Sequence, residues 1–212
     1  MAKRGMLFVI SGPAGAGKSE IVKTVLKNHP DVQLSVSCTT RAPRPGEIDG
    51  VHYHFVSDQR FDELVKENVF YEWAHVHQNR YGTLKSVVAE QLEKGNDLIL
   101  EIDVQGCLQV LEQEPTAVGI FVSPPSRENL EKRLRARGTE SEESIRVRLN
   151  NVAGEVATAY KYHYVIIHQD WSDVPNALEI AADEVYSIIN AKRCEKENRR
   201  SFLDALTAEL RA

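Results

Sequence analysis

The chain has 212 residues, of which 42% are hydrophobic, and 26 basic against 31 acidic side chains leave a net charge of −5. One domain-sized core is within reach of such a chain, and the acidic balance argues against general nucleic-acid binding. Cys38, Cys107 and Cys194 form no C-x-x-C pair, no apolar run approaches membrane length, and the segment before the first strand is too short for a secretion signal; reduced thiols and a cytoplasmic, membrane-free setting are expected.

Taken in chain order, the first element is an apolar run over 6–10, a buried strand by pattern, followed directly by Gly12-Pro13-Ala14-Gly15-Ala16-Gly17-Lys18-Ser19 and a helix over 19–28. The octet fits G-x-x-x-x-G-K-[ST], a loop in which glycines turn consecutive N–H groups toward an anion and the helix dipole adds to the attraction. Lys18 is placed as a mobile charge for the β- and γ-phosphates of ATP or GTP, and the Ser19 hydroxyl as a ligand of Mg²⁺.

A strand is expected over 33–38, and then the texture changes. Residues 35–85 carry only short alternating segments, at 51–56 and 69–77, around a loop broken by Pro43, Pro45, Gly46 and Gly50. Arg41 and Arg44 on that loop suit a phosphate monoester, which a guanidinium grips with two parallel hydrogen bonds; taken alone they are equally consistent with two solvated arginines. Further strands are expected over 97–102, 117–122 and 163–168, alternating with helices over 104–113, 126–136, 141–160 and 173–198. That alternation predicts an α/β fold, a parallel sheet covered by helices. Beyond the charged stretch Lys192 to Arg200, the run Ser201 to Leu206 has helical spacing and is expected to dock either on the core or on a second subunit, as a homodimer or higher homo-oligomer.

From Thr39 to Phe55 the chain fits T-T-R-x-x-R-x-x-E-x-x-G-x-x-Y-x-F without a miss, and Glu72-Trp73-Ala74, Tyr81-Gly82-Thr83, Glu101 to Gly106, Arg133-Leu134 and Arg137 to Glu140 follow in order. In these motifs the chain resembles the guanylate kinases, over nearly its whole length. The resemblance implies a P-loop NTPase-type sheet spanning 1–34, 86–125 and 160–212, a GMP-binding insertion at 35–85 and a helical lid at about 126–159. It implies a GMP phosphate held among Arg41, Arg44, Tyr53 and Tyr81, with Glu47 holding the loop or a sugar hydroxyl. Guanine is then met by Ser37, Glu72, Thr83 and Asp103. A carboxylate accepts from guanine N1–H and the 2-amino group, neither of which adenine offers. Glu72 by itself, between Tyr71 and Trp73, has the pattern of a solvent-facing strand residue; only the resemblance makes it a base reader.

On the donor side the resemblance implies that Arg133, Arg137 and Arg148 swing onto the ATP phosphates, with Arg135 and Arg146 left at the surface. Glu101 holds the water shell of Mg²⁺. Catalysis by Lys18, Arg41, Arg137 and Arg148 is expected through alignment and charge neutralisation, with no side-chain nucleophile, as the two flanking regions close over GMP (or dGMP) and ATP. The alternatives are an interaction module on the same fold, or a kinase for another phosphorylated acceptor such as ribose 1,5-bisphosphate. The chain departs from the family at Gln78 and Arg80, where Gly and Tyr are common, at Leu84, and at His168 in place of Asn in the region of the family's adenine site. Arg80 either alters the GMP pocket or faces water. The pairs His52/His54 and His75/His77 share strand faces but have no recognisable third zinc ligand, and ordinary strand positions are expected.

Overall fold

A computed structural model describes residues 4–76, 78–136, 142–170 and 172–211. Five parallel strands form the main sheet: β1 (Leu7–Ser11), β2 (Val32–Leu34), β7 (Asp97–Glu101), β8 (Val118–Ser123) and β9 (Tyr164–Ile167), in the order β2-β7-β1-β8-β9. In register, Val9 lies between Leu100 and Gly119. Continuous apolar runs suit the central strands β1, β7 and β8, which are covered on both faces. Phe8, Ile10, Ile99, Ile120 and Val122 pack against α1 (Lys18–Asn28) and α7 (Ala177–Cys194), whereas Leu7, Val9, Leu98, Leu100 and Phe121 meet α3 (Lys85–Glu93) and α4 (Val104–Gln113).

A second sheet, ordered β4-β3-β6-β5, is built from β3 (Cys38–Thr39), β4 (His54–Phe55), β5 (Phe70–Val76) and β6 (Asn79–Leu84). Its own core joins Cys38 and Phe70 to Phe61 and Leu64 of α2 (Asp58–Lys66). The expected strand over 33–38 is therefore two strands in different sheets. The alternation over 51–56 yields only the two-residue strand β4 and a lone bridge from Tyr53 to Asp49, and α2 and α3 answer to no expected element. Each of these helices is short, and helices of nine residues are held by the surface they bury more than by their own propensity.

Helices α5 (Arg127–Ala136) and α6 (Glu142–Ala157) close a separate small core of Leu130, Leu134, Ile145 and Leu149, and a 3₁₀ turn, Thr158–Lys161, leads back to β9. The helix expected over 173–198 breaks at Glu195, where extended backbone separates α7 from α8 (Lys196–Glu209). Every residue of α8 is at least partly exposed, including Phe202, Leu203 and Leu206, so its apolar stripe does not dock on the core. No helix among the described residues is long and apolar enough to cross a membrane.

One ion pair ties the end of α7 to the sheet. Asp97 is buried and accepts from the Met6 amide at 2.8 Å and from Arg193 Nε at 2.6 Å, and Arg193 also reaches Asp31 at 2.7 Å. Arg193→Ala should lower stability by about 2 to 4 kcal/mol, seen as a melting temperature roughly 5 to 10 °C lower, because it strands a buried carboxylate. An unchanged melting curve would mean that Asp97 finds another partner.

Candidate functional site

The loop after β1 is shaped by close approach. Gly12 has φ 145°, and a Cβ there would sit 2.1 Å from the Val122 carbonyl oxygen, so neither the conformation nor the space admits a side chain. Gly15 and Gly17 also have positive φ, and Gly17 caps α1. Lys18 Nζ donates to the carbonyls of Gly12 at 2.6 Å and Pro13 at 3.1 Å, folding its ammonium over the loop. The Ser19 hydroxyl donates to Glu101 Oε1 at the end of β7.

Behind the loop, Arg133 of α5 donates to the carbonyls of Ala16 (3.2 Å), His168 (3.0 Å) and Gln169 (2.8 Å). His168 Nδ1 lies 2.8 Å from the Ala16 carbonyl, and burial keeps the imidazole below its ordinary pKa. Arg133 Nη1 lies 3.2 Å from the same nitrogen, so Nδ1 either donates to the carbonyl or accepts from the guanidinium, according to the tautomer. Arg133 and His168 thus bracket the loop from outside, fixing it to the last strand. In this arrangement the Arg133 fork is engaged with main chain.

Across the cleft, Glu47 organises the proline-rich loop: its carboxylate accepts from Arg41 Nη2 at 2.8 Å and from the Arg44 amide at 2.7 Å. Those bonds, Arg41 first, hold the Glu47 carboxyl down at about 2, so it is ionised at any working pH. The Arg41 guanidinium lies 5.4 Å from the Tyr53 ring centre, and Tyr53 meets Tyr81 edge-on at 5.9 Å. Two hydroxyls and a guanidinium therefore converge, while the Arg44 residue stands exposed beside them.

Glu72 on β5 is buried, not solvent-facing. It accepts from the Thr83 hydroxyl at 2.7 Å. Gly106 of α4 makes room for it, since a Cβ there would come within 2.9 Å of Glu72 Oε2. Asp103 caps α4 by accepting from the Gly106 amide at 2.9 Å. Burial, with the Asp103 carboxylate adding to it, pushes the Glu72 carboxyl from its ordinary 4.5 up to about 7, the Thr83 hydrogen bond working against the rise. A folded-state pKa above the unfolded value favours the protonated fold, so this contribution is full below about 4.5 and is lost as pH rises through 7. It should amount to up to about 3 kcal/mol. Thermal melts from pH 5 to 8.5 should show wild type losing stability relative to Glu72→Gln; parallel profiles would contradict it.

Both sides open into one cavity of about 930 Å³, whose walls include Gly12, Ala14 and Lys18, then Ser37, Tyr53, Glu72 and Tyr81, and Glu101 with Asp103. Arg148 lines it from α6. Arg41, Arg44, Glu47 and Thr83 are not among its lining residues, and neither are Pro13, Gly15, Ala16, Gly17 and Ser19 of the loop. Arg137 lies outside the described residues. The sequence reading missed the rest of the α6 face: Ser144, Val147, Asn151 and Glu155 share the cavity with Arg148. Their spacing of three and four residues from one to the next along α6 is the signal that marks them. Burial raises the Glu155 carboxyl above its ordinary pKa, against the pull of Lys18, and Asp103 adds to the rise.

Ser19 Oγ and Glu101 Oε1, both oxygens and in mutual contact at the edge of this cavity, fit a hard divalent cation such as Mg²⁺. Of the histidine pairs, His52 Nδ1 accepts from the Ile48 amide and His75 faces the cavity edge-on to Trp73; His77 lies outside the described residues. Among the described residues no group of three or more His, Cys, Asp or Glu side chains is arranged to hold a metal ion.

A phosphate loop thus faces Tyr53 and Tyr81 across one cavity. The family model for guanylate kinase matches residues 4–185. A guanylate kinase of Caldanaerobacter subterraneus subsp. tengcongensis is 44% identical over 200 residues, 94% of each chain, and one of Zymomonas mobilis is 44% identical over 213 residues, 100% of this chain and 95% of the other. The crystal structure of guanylate kinase from Anaplasma phagocytophilum superposes with a TM-score of 0.70 at 30% identity, covering 91% of this chain and 88% of that one. The chain belongs to the guanylate kinase family.

Proposed function

We propose that this chain transfers the γ-phosphoryl group of ATP to the phosphate of GMP, and of dGMP, giving ADP and GDP or dGDP. The observation that carries the reading is the single cavity shared by Lys18 of the phosphate loop and by Tyr53, Glu72 and Tyr81 opposite it. A γ-phosphate on the loop faces the phosphate of an acceptor whose base rests on Glu72.

The loop amides and Lys18 bind and orient the β- and γ-phosphates. Arg41, with Tyr53 and Tyr81, receives the acceptor phosphate, and Glu47 keeps Arg41 aimed by holding its guanidinium. Arg44, exposed on the same loop and fixed through its amide to Glu47, adds a second guanidinium to that phosphate. Glu72, backed by Thr83 and flanked by Ser37 and Asp103, accepts from the guanine edge. An acceptor phosphate with a second pKa near 6 is largely dianionic at neutral pH, so its oxygen attacks without a general base. The bond from the γ-phosphorus to the β,γ-bridging oxygen breaks as the new phosphorus–oxygen bond forms, and ADP leaves with the electron pair. Arg148 from α6 and Arg137 neutralise charge on the transferred group, and Arg133 holds the loop that carries it. Ser19, with Glu101 through water, would hold Mg²⁺. When bound, the metal neutralises charge on the β- and γ-oxygens. Residues 35–85 and about 126–159 move as the two covers of the cavity, excluding the water that competes as acceptor. Buried thiols at Cys38 and Cys107 fit a cytoplasmic setting.

ADP release with Mg·ATP against GMP, dGMP, AMP, UMP and ribose 1,5-bisphosphate tests the reading directly. Turnover confined to GMP and dGMP is expected. Preferred turnover of ribose 1,5-bisphosphate would transfer the assignment to another acceptor, and folded, ATP-binding protein without turnover would make it an interaction module.

A further inference from the structure

Arg80 is neither in the cavity nor in water. Its side chain is 12% exposed. Nη2 donates to the Asp58 carbonyl at 2.7 Å and to Asp58 Oδ1 at 2.9 Å, and Nη1 donates to Asp62 Oδ1 at 2.5 Å. The guanidinium carbon lies 4.6 Å from the Phe61 ring centre. One residue of β6 thus grips the first turns of α2 through three oxygens and a ring.

The main chain of the same residue is equally committed. Its amide donates to Thr40 Oγ1 at 3.0 Å, and its carbonyl accepts from the Thr40 amide at 3.1 Å and from Thr39 Oγ1 at 3.0 Å. Thr39 Oγ1 in turn accepts from the Arg41 amide at 3.1 Å. The next residue of β6, Tyr81, stands opposite Thr39 in register. An unbroken series of hydrogen bonds therefore runs from α2 through Arg80 to the two threonines and on to Arg41.

Stability alone does not account for the fork. Phe61 and Leu64 already dock α2 on Cys38 and Phe70, and the carboxylates of Asp58 and Asp62 are 79% and 58% exposed, where ion pairs contribute little. What the fork does is fix one direction of β6 relative to α2.

We propose that Arg80 is a positioning residue for the acceptor phosphate: anchored to Asp58 and Asp62, its main chain sets the orientation of Arg41 and Tyr81 toward a phosphate monoester. This rests on the functional reading above and adds to it a residue that touches no substrate. The charge and the fork act together, so a lysine restores only part of the effect.

Arg80→Met keeps an apolar stem over Phe61 and removes the fork. Its KM for GMP should rise roughly tenfold, the scale of one lost orienting contact, and KM for dGMP by the same factor, with kcat and KM for ATP within about twofold of wild type. Arg80→Lys should fall between the two. Asp58→Asn with Asp62→Asn should reproduce the rise and, added to Arg80→Met, raise KM no further; this pair also serves if Arg80→Met folds poorly. A lower melting temperature with unchanged KM for GMP would reduce Arg80 to a structural clamp and overturn the proposal. Wild-type protein inert toward GMP would sink both readings, whereas active wild type with an unaltered Arg80→Met would sink only this one.

Discussion

Lys18→Ala will lower single-turnover phosphoryl transfer by roughly three orders of magnitude or more, the scale on which charges aimed at a transferring phosphoryl group act. The ammonium lies over the loop, held by the carbonyls of Gly12 and Pro13, and the cavity wall it forms is the one facing Tyr53 and Tyr81. Removing it deletes a charge that the transition state needs and the folded chain does not. The lost hydrogen bonds to two carbonyls are partly replaced by water, so the melting temperature should stay within a few degrees. Single-turnover measurements at saturating Mg·ATP separate the chemical step from nucleotide binding. Retained transfer in the variant would remove Lys18 from the reaction, and loss of fold would show that its hydrogen bonds are structural.

Glu72→Gln should collapse the preference for GMP over AMP, measured as the ratio of kcat/KM values, by about a thousandfold, mostly through weaker use of GMP. The buried carboxylate has one oxygen on the Thr83 hydroxyl, and the other lies where a Cβ on Gly106 would fall within 2.9 Å. An amide of the same shape offers one acceptor and one donor, so its NH₂ group opposes a guanine donor in a space too tight for a new rotamer. In the wild type, GMP affinity should also fall below about pH 7 as the raised carboxyl of Glu72 takes up its proton, and the variant should lack that component. An unchanged ratio over AMP would take Glu72 off the base-reading face.

These two side chains differ in how far the chain alone reveals them. Lys18 is announced by its own neighbours, because the glycines that shape the loop and the lysine that serves it lie within eight residues. Glu72 is not, since its burial comes from α4 packing on β5 through a glycine thirty-odd residues away. The central strands β1, β7 and β8 were legible for a related reason: buried on both faces, they are continuous apolar runs. Helices α2 and α3 were not, because their nine residues are stabilised by contacts with strands distant in sequence. Arg135 keeps the surface position expected of it; what the chain alone does not reveal is its pairing there with Glu131 and Glu142 across α5 and α6.

By itself, then, the sequence determined the phosphate loop, the parallel strands, the loop from Thr39 to Phe55 and the family, since each is a matter of local spacing and residue type. Only the tertiary structure decided that Arg133 grips the loop from behind, that the α6 face of Asn151 and Glu155 joins Arg148 in the cavity, and that Arg80 clamps α2. Those assignments depend on which surfaces meet, and long charged side chains take their partners from the fold and not from their neighbours in the chain.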